Sequence, residues 1–140
     1  MKVLQKCKDG GPKSPVDGYF LWEIKGLCSV ALLKFNKGSR ENYHSHAFNA
    51  FTWFISGNLM EVLKGSDSYV YSRSLVPKFT PRDNCHRVIA YTDSWCFTVR
   101  GPWSRTWKEY DPRTNTWITL TNGRRVVDVD YDLEVISNQE

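Results

Sequence analysis

The 140-residue chain holds only three histidines, and two of them, His44 and His46, flank a single residue, Ser45. On an extended backbone, residues i and i+2 point to the same face. Two imidazoles placed this way can ligate one ion at about 2.0–2.2 Å. The third histidine, His86, begins another β-prone run, just after Pro81-Arg82-Asp83-Asn84-Cys85. A closed sheet can bring that run beside the first. Three neutral imidazoles on an inward face would then hold a divalent ion and leave coordination positions open. The plainer alternative is three unrelated histidines on the surface or in the core.

The elements that must position them read as strand after strand. Tyr19 to Ile24, Ser29 to Phe35, Ala50 to Ser56, Leu59 to Leu63, Ser68 to Ser72, His86 to Tyr91, Trp95 to Arg100, Thr116 to Leu120 and Val126 to Val129 are rich in aromatic and β-branched residues. Gly, Pro or Asn signals punctuate them. Short strands so spaced predict an all-β sandwich or barrel. Helix periodicity is absent from every segment of useful length. The segment from Trp103 to Asp111 has room for one helical turn, while Trp107 to Trp117 reads as strand, turn, strand around Asp111-Pro112. No repeat or internal boundary is visible. The expectation is one domain over 1–140, with an irregular lead-in at 1–18, a barrel at about 19–129 and an acidic tail, helical or frayed, at 130–140.

The spacing around the histidines resembles the cupin superfamily. Gly38 is followed by five residues, then His44-Ser45-His46, three residues, Ala50, six residues and Gly57. The first cupin motif has that spacing, with Glu where Ala50 stands. The second motif is matched by Pro81 and His86, but Asp83 replaces its Gly and Ala90 its Asn. The resemblance spans about residues 30–100. It implies a cupin-type double-stranded β-helix, or jelly-roll barrel, with little helix, and three of four metal ligands: His44, His46 and His86.

A three-His site without the Glu is similar to the thiol dioxygenase and diketone-cleaving branches of the cupins. The implied cofactor is a divalent metal ion, Fe(II) foremost, with zinc, nickel, copper or manganese also compatible with imidazole. Without the Glu, an M²⁺ ion on three neutral rings keeps its full charge and favours an anionic or chelating ligand. A small-molecule substrate, a mononuclear non-haem Fe(II) dioxygenase and cupin-like homodimers follow as expectations. A zinc hydroxide performing hydrolysis, or a non-catalytic metal- or ligand-binding module, stands beside them.

Strand parity extends the candidate list. If Ala50 faces inward, so do Thr52, Phe54 and Ser56; if His86 does, so do Val88 and Ala90. On the next strand either Cys96, Thr98 and Arg100 or Trp95, Phe97 and Val99 face in. The first set is preferred, because Arg100 would fix a substrate carboxylate bidentately. Arg100 and Tyr43, a hydrogen-bond donor next to His44, are the candidate catalytic side chains. Arg40, Arg87 and Tyr91 read as ordinary surface or packing residues. Asp83 and Glu61 are loose candidates for a general base. Phe51, Trp53 and Ile55 alternate with the inward set and need a second apolar surface, such as a facing sheet or a partner subunit.

Charge and composition exclude little more. The net charge is +4, with 41% apolar and 24% charged residues, so the chain is not intrinsically disordered. Residues 1–40 carry eight basic and three acidic groups. Asp128, Asp130, Asp132, Glu134 and Glu140 make the end acidic. No basic cluster or aromatic nucleotide-binding motif points to nucleic acid. No apolar run approaches a membrane span of about 18 residues, and Met1 to Lys6 does not resemble a signal peptide. Cys7, Cys28, Cys85 and Cys96 contain no C-x-x-C pair and read as reduced thiols of a cytoplasmic protein.

Overall fold

The computed structural model describes residues 1–38, 42–65, 67–121 and 123–131. Among them lie strands β1 (Lys2–Lys8), β2 (Val16–Ile24), β3 (Cys28–Phe35), β4 (Ala50–Ser56), β5 (Leu59–Leu63), β6 (Ser68–Tyr71), β7 (Lys78–Thr80), β8 (His86–Ala90), β9 (Ser94–Arg100), β10 (Thr106–Asp111), β11 (Thr116–Thr121) and β12 (Val126–Tyr131), and no helix. Alternation makes them strands: β9 buries Ser94, Cys96, Thr98 and Arg100 and turns Trp95, Phe97 and Val99 to the other face.

The first layer is a six-stranded antiparallel sheet in the order β1-β2-β3-β9-β4-β7. The second comes in two three-stranded pieces, β6-β5-β8 and β10-β11-β12. Val16, Phe20, Ala31, Leu33, Phe35 and Cys96 of the first layer pack on Leu59 and Ala90 of the second. Truncating a side chain buried like Phe20 to Ala costs about 3–5 kcal/mol. The architecture is the all-β jelly roll that the sequence predicts.

Two strands, β1 and β7, escape the sequence reading, and β10 settles an alternative that it left open. β1 lies in the supposed lead-in and pairs with β2 along the sheet edge. Lys6 and Lys8 on it are exposed, and charged edges are how sheets avoid further pairing, but they mask its periodicity. β7 is only three residues long. β10 pairs in full with β11, so the helical turn considered at Trp103 to Asp111 gives way to a hairpin. The acidic tail falls partly on 132–140, outside the described residues, as do Arg40, Asp132, Glu134 and Glu140. Ser56 is exposed and not inward: the register of β4 on β9 shifts between Phe54 and Ser56, and one extra residue reverses parity. Gly57, at φ +86°, closes this bend. A Cβ there would sit 2.3 Å from Ser94 Oγ and 2.6 Å from the Asp93 carbonyl oxygen.

Candidate metal centre

The two pieces of the second layer meet through the stretch that precedes β4. His44 bridges His86 on one side and Glu109 on the other. The His44 N–H donates to the His86 carbonyl at 2.9 Å and the His86 N–H returns the bond at 3.0 Å. Ser45 N–H donates to the Lys108 carbonyl and His46 N–H to the Arg82 carbonyl, both at 2.9 Å. The H-x-H pair therefore sits on a single bridge residue clamped between β8 and β10, rather than in a continuous strand.

The three imidazoles converge. Ring centroids are 4.8 Å apart for His44 and His46, 5.1 Å for His44 and His86, and 4.9 Å for His46 and His86. One ligand atom from each lies within 4.8 Å of the others. Their tautomers suit a cation. His44 Nδ1 lies 2.7 Å from the Asn42 carbonyl, which only accepts, so the ring hydrogen sits on Nδ1 and Nε2 carries the lone pair. His86 Nδ1 is tied in the same way to the Glu61 carboxylate. His46 is held neutral: burial, reinforced by the His44 and His86 rings and by Arg100, keeps its pKa well below the usual histidine range. The donor set thus fits a divalent ion that prefers imidazole nitrogen.

Glu61 is the functional residue that the sequence reading undervalued. It accepts hydrogen bonds from His86 Nδ1, from Lys78 Nζ at 2.7 Å and from Tyr71 Oη at 3.2 Å. Burial alone would raise its pKa, but the bonds from His86 and Lys78 outweigh that and hold it at about 2. Glu61 is therefore an anion that orients His86, the role carboxylates commonly play behind metal-bound histidine. The signal was parity: Leu59 and Glu61 share the buried face of β5. Asp83, the other loose base candidate, is exposed and outside the cavity wall.

The trio opens into a cavity of about 360 Å³ between the layers. Ala50, Thr52 and Phe54 line it, as do Val88, Cys96, Thr98 and Arg100, in agreement with strand parity. Ala50 presents a methyl group where a carboxylate would stand in the motif. The acidic residues of the wall are all paired: Glu23 with Lys2 at 3.2 Å, Asp9 with Arg100 at 2.6 Å, Glu61 with Lys78 at 2.7 Å and Glu109 with Arg124 at 3.0 Å. Among the described residues, the wall offers no further carboxylate to balance a metal charge.

Arg100 points into the barrel but does not present a bidentate fork to a ligand. Nη1 and Nη2 donate to the two carboxylate oxygens of Asp9 at 2.9 and 2.6 Å. Tyr43 lies outside the main cavity wall. Its carbonyl accepts from Tyr110 N–H at 2.8 Å, and its ring carries Arg87 at 5.2 Å. It borders a second hollow shared with His44, Glu109 and Arg124. Cys7, Cys28, Cys85 and Cys96 form no disulfide. Among the described residues no helix is long and apolar enough to cross a membrane.

No protein-family profile matches the chain. It is 25% identical over 111 residues to the Delta-9 desaturase-like 5 protein of Arabidopsis thaliana, an alignment that covers 78% of this chain and spans only 37% of that relative's length. In structure it is similar to a cupin-superfamily sugar phosphate isomerase from Silicibacter pomeroyi (TM-score 0.59, 17% identity, 81% of this chain and 76% of that one). It is also similar to an RmlC-like cupin from Shewanella frigidimarina (0.56, 16%, 71% and 84%) and to KdgF from a Halomonas species (0.55, 18%, 68% and 85%).

Proposed function

We propose that this chain, whose fold is that of the cupins, is a mononuclear metal protein and that its activity is that of a non-haem Fe(II) dioxygenase acting on a small anionic or chelating substrate. The observation that carries the reading is the convergence of His44, His46 and His86 on a cavity whose wall has Ala50 at the fourth ligand position and only ion-paired carboxylates. Fe(II), when bound, supplies the redox chemistry that activates O₂. The chain's own residues bind and orient. The three imidazoles hold the ion, and Glu61 fixes the His86 ring. Ala50 adds no ligand atom to the cavity wall, which Phe48, Phe54, Trp103 and Trp107 also line. Arg100, ion-paired with Asp9, lines the same cavity.

Proton-transfer chemistry, such as the isomerase activity named for the Silicibacter protein, fits this wall less well. It needs a carboxylate or other base free to take a proton, whereas Asp9, Glu23, Glu61 and Glu109 are each paired with a cation. The unbridged thiols support a cytoplasmic location. The outward face of the six-stranded sheet supports a homodimer: Trp22, Phe51 and Phe79 are all exposed along it.

Metal analysis with oxygen-uptake measurement tests the reading. Wild-type protein should carry one divalent ion per chain. His44→Ala, His46→Ala and His86→Ala should each lose it while keeping the β-fold by circular dichroism. Iron-loaded protein should consume O₂ with a small carboxylate or thiol, and zinc-loaded protein should not. Stoichiometric metal in the triple variant would refute the site. Metal and ligand binding without iron-dependent O₂ uptake would make the chain a binding module.

A further inference from the structure

Lys64 stands just past β5, outside the wall of the main cavity, and its ammonium lies among three aromatic rings. Nζ is 5.5 Å from the centroid of Tyr110, 5.7 Å from that of Trp117 and 5.9 Å from that of Tyr43. Each ring is within reach of cation–π attraction, about 6 Å. The four side chains are half-buried, and partial desolvation strengthens such attraction. The Tyr43 ring carries a second cation, Arg87, at 5.2 Å. Tyr110 and Trp117 stand opposite each other in the β10–β11 pairing, with ring centroids 5.2 Å apart.

Three elements meet at this lysine. Lys64 follows the piece β6-β5-β8, and its backbone N–H donates to the Cys85 carbonyl at 3.1 Å, one residue before His86. Tyr43 is one residue before His44, and its carbonyl accepts from Tyr110 N–H at 2.8 Å. Tyr110 and Trp117 belong to the other piece, β10-β11-β12. One residue therefore holds both sides of the seam and the stretch between them. Its backbone contact adjoins His86 and its side-chain contact adjoins His44, the two histidines that exchange backbone hydrogen bonds.

We propose that Lys64 is a positioning residue of the metal centre: it draws Tyr43 against Tyr110 and Trp117 while its own backbone is tied to Cys85, and so fixes the approach of His44 to His86. The metal clause rests on the reading above; the fixing of the two histidines stands without it. Tyr43 then serves through its ring and not through its hydroxyl.

The test uses full-length protein. Amide hydrogen exchange is followed by NMR in the metal-free form, and zinc affinity is measured by competition with a chelator. Lys64→Met keeps an unbranched apolar stem against the rings and removes the charge. In it the His44 and His86 amides should exchange about tenfold faster, the loss expected from one or two cation–π contacts, while the amides of β3 and β9 keep their rates. Zinc binding should weaken by about the same factor. Loss of a positive charge would by itself favour a bound cation, so weaker binding reports position. Lys64→Arg, which keeps a cation for the rings, and Tyr43→Phe, which keeps the ring, should both resemble wild type. Tyr43→Leu should resemble Lys64→Met. Unchanged exchange at His44 and His86, a rise that extends to β3 and β9, or no rescue by Lys64→Arg overturns the proposal. Unchanged zinc affinity alongside faster exchange overturns it too. A wild type that binds no zinc removes the metal reading, and the exchange comparison then decides for Lys64 alone.

Discussion

Replacing Asp9 with Asn tests the electrostatics of the cavity without knowledge of the substrate. Asp9 stands where β1 turns toward β2 and gives both carboxylate oxygens to Arg100. The Arg100 side chain is 5% exposed and that of Asp9 23% exposed, and the guanidinium is sandwiched by Phe48 and Phe20 at 4.5 and 5.6 Å. Removing one partner of a fully buried pair costs about 3–5 kcal/mol. Asn keeps one acceptor, and water reaches the Asp9 side, so about 2–3 kcal/mol is expected. For a chain of this size that lowers Tm by about 6–12 °C. Calorimetric melts of both proteins across pH are the assay. Burial raises the Asp9 carboxyl, but Arg100 outweighs burial and leaves its pKa below the ordinary value. A lowered folded pKa means that the pair's contribution is complete above the unfolded carboxylate range near ~4. It is lost as the pH falls through the lower folded value. The gap between the two proteins should therefore be flat near neutrality and shrink in acid. A gap below about 2 °C at pH 7, or one that widens as the pH falls, would refute the reasoning.

Other perturbations follow from the same geometry. Glu61→Gln removes the anion behind His86 and should weaken divalent-metal binding about ten- to a hundredfold, measured by competition with a chelator; unchanged affinity would mean that Glu61 only pairs with Lys78. Ala50→Glu places a carboxylate in the cavity wall that the trio shares, and the same competition should show metal binding tightened by tenfold or more; unchanged affinity would mean that position 50 does not reach the ion. Burial pushes the Cys96 thiol up to about 12 and leaves the residue 1% exposed. Iodoacetamide at pH 8 should therefore label it last of the four cysteines, by peptide mass spectrometry; early labelling would show that the cavity opens more widely than the structure allows.

What was legible in the sequence followed from a period of two. The inward settings of Ala50, Thr52 and Phe54, of His86 and Val88, and of Cys96, Thr98 and Arg100 all come from alternation along single strands, and the trio came from the His44-Ser45-His46 spacing together with a second β-run. Parity failed where backbone geometry intervened, as at Ser56 beyond the β4 irregularity. It was silent where a contact joins distant elements. Asp9 lies in a Gly-Pro-rich turn with no pattern of its own, yet it reaches Arg100, ninety-one positions away. Nothing local at Tyr43 signals that its neighbours His44 and Ser45 are clamped by β8 and β10, which turns its own ring toward Arg87. Trp103 follows Gly101-Pro102 outside any strand. Only the packing of Phe48 shows that its indole belongs to the cavity.

The bridge at His44 connects site and fold. The two halves of the second layer are joined by the short stretch Tyr43 to His46, which bonds to β10 and β8 around the bridge residue His44 and is too short to persist as a strand by itself. Its position is set jointly by β8 and β10. An ion held by His44 and His46 from this stretch and by His86 from β8 would add a second connection at that seam, while Glu61 ties the same histidine to β5. Charge reinforces the coupling. With the wall's acidic groups paired internally, a cation held at that seam would take its charge balance from outside the chain. Metal retention and anion affinity would then depend on one arrangement, in which the bridge at His44 sets the seam and Ala50 leaves the ion's charge uncompensated by the wall.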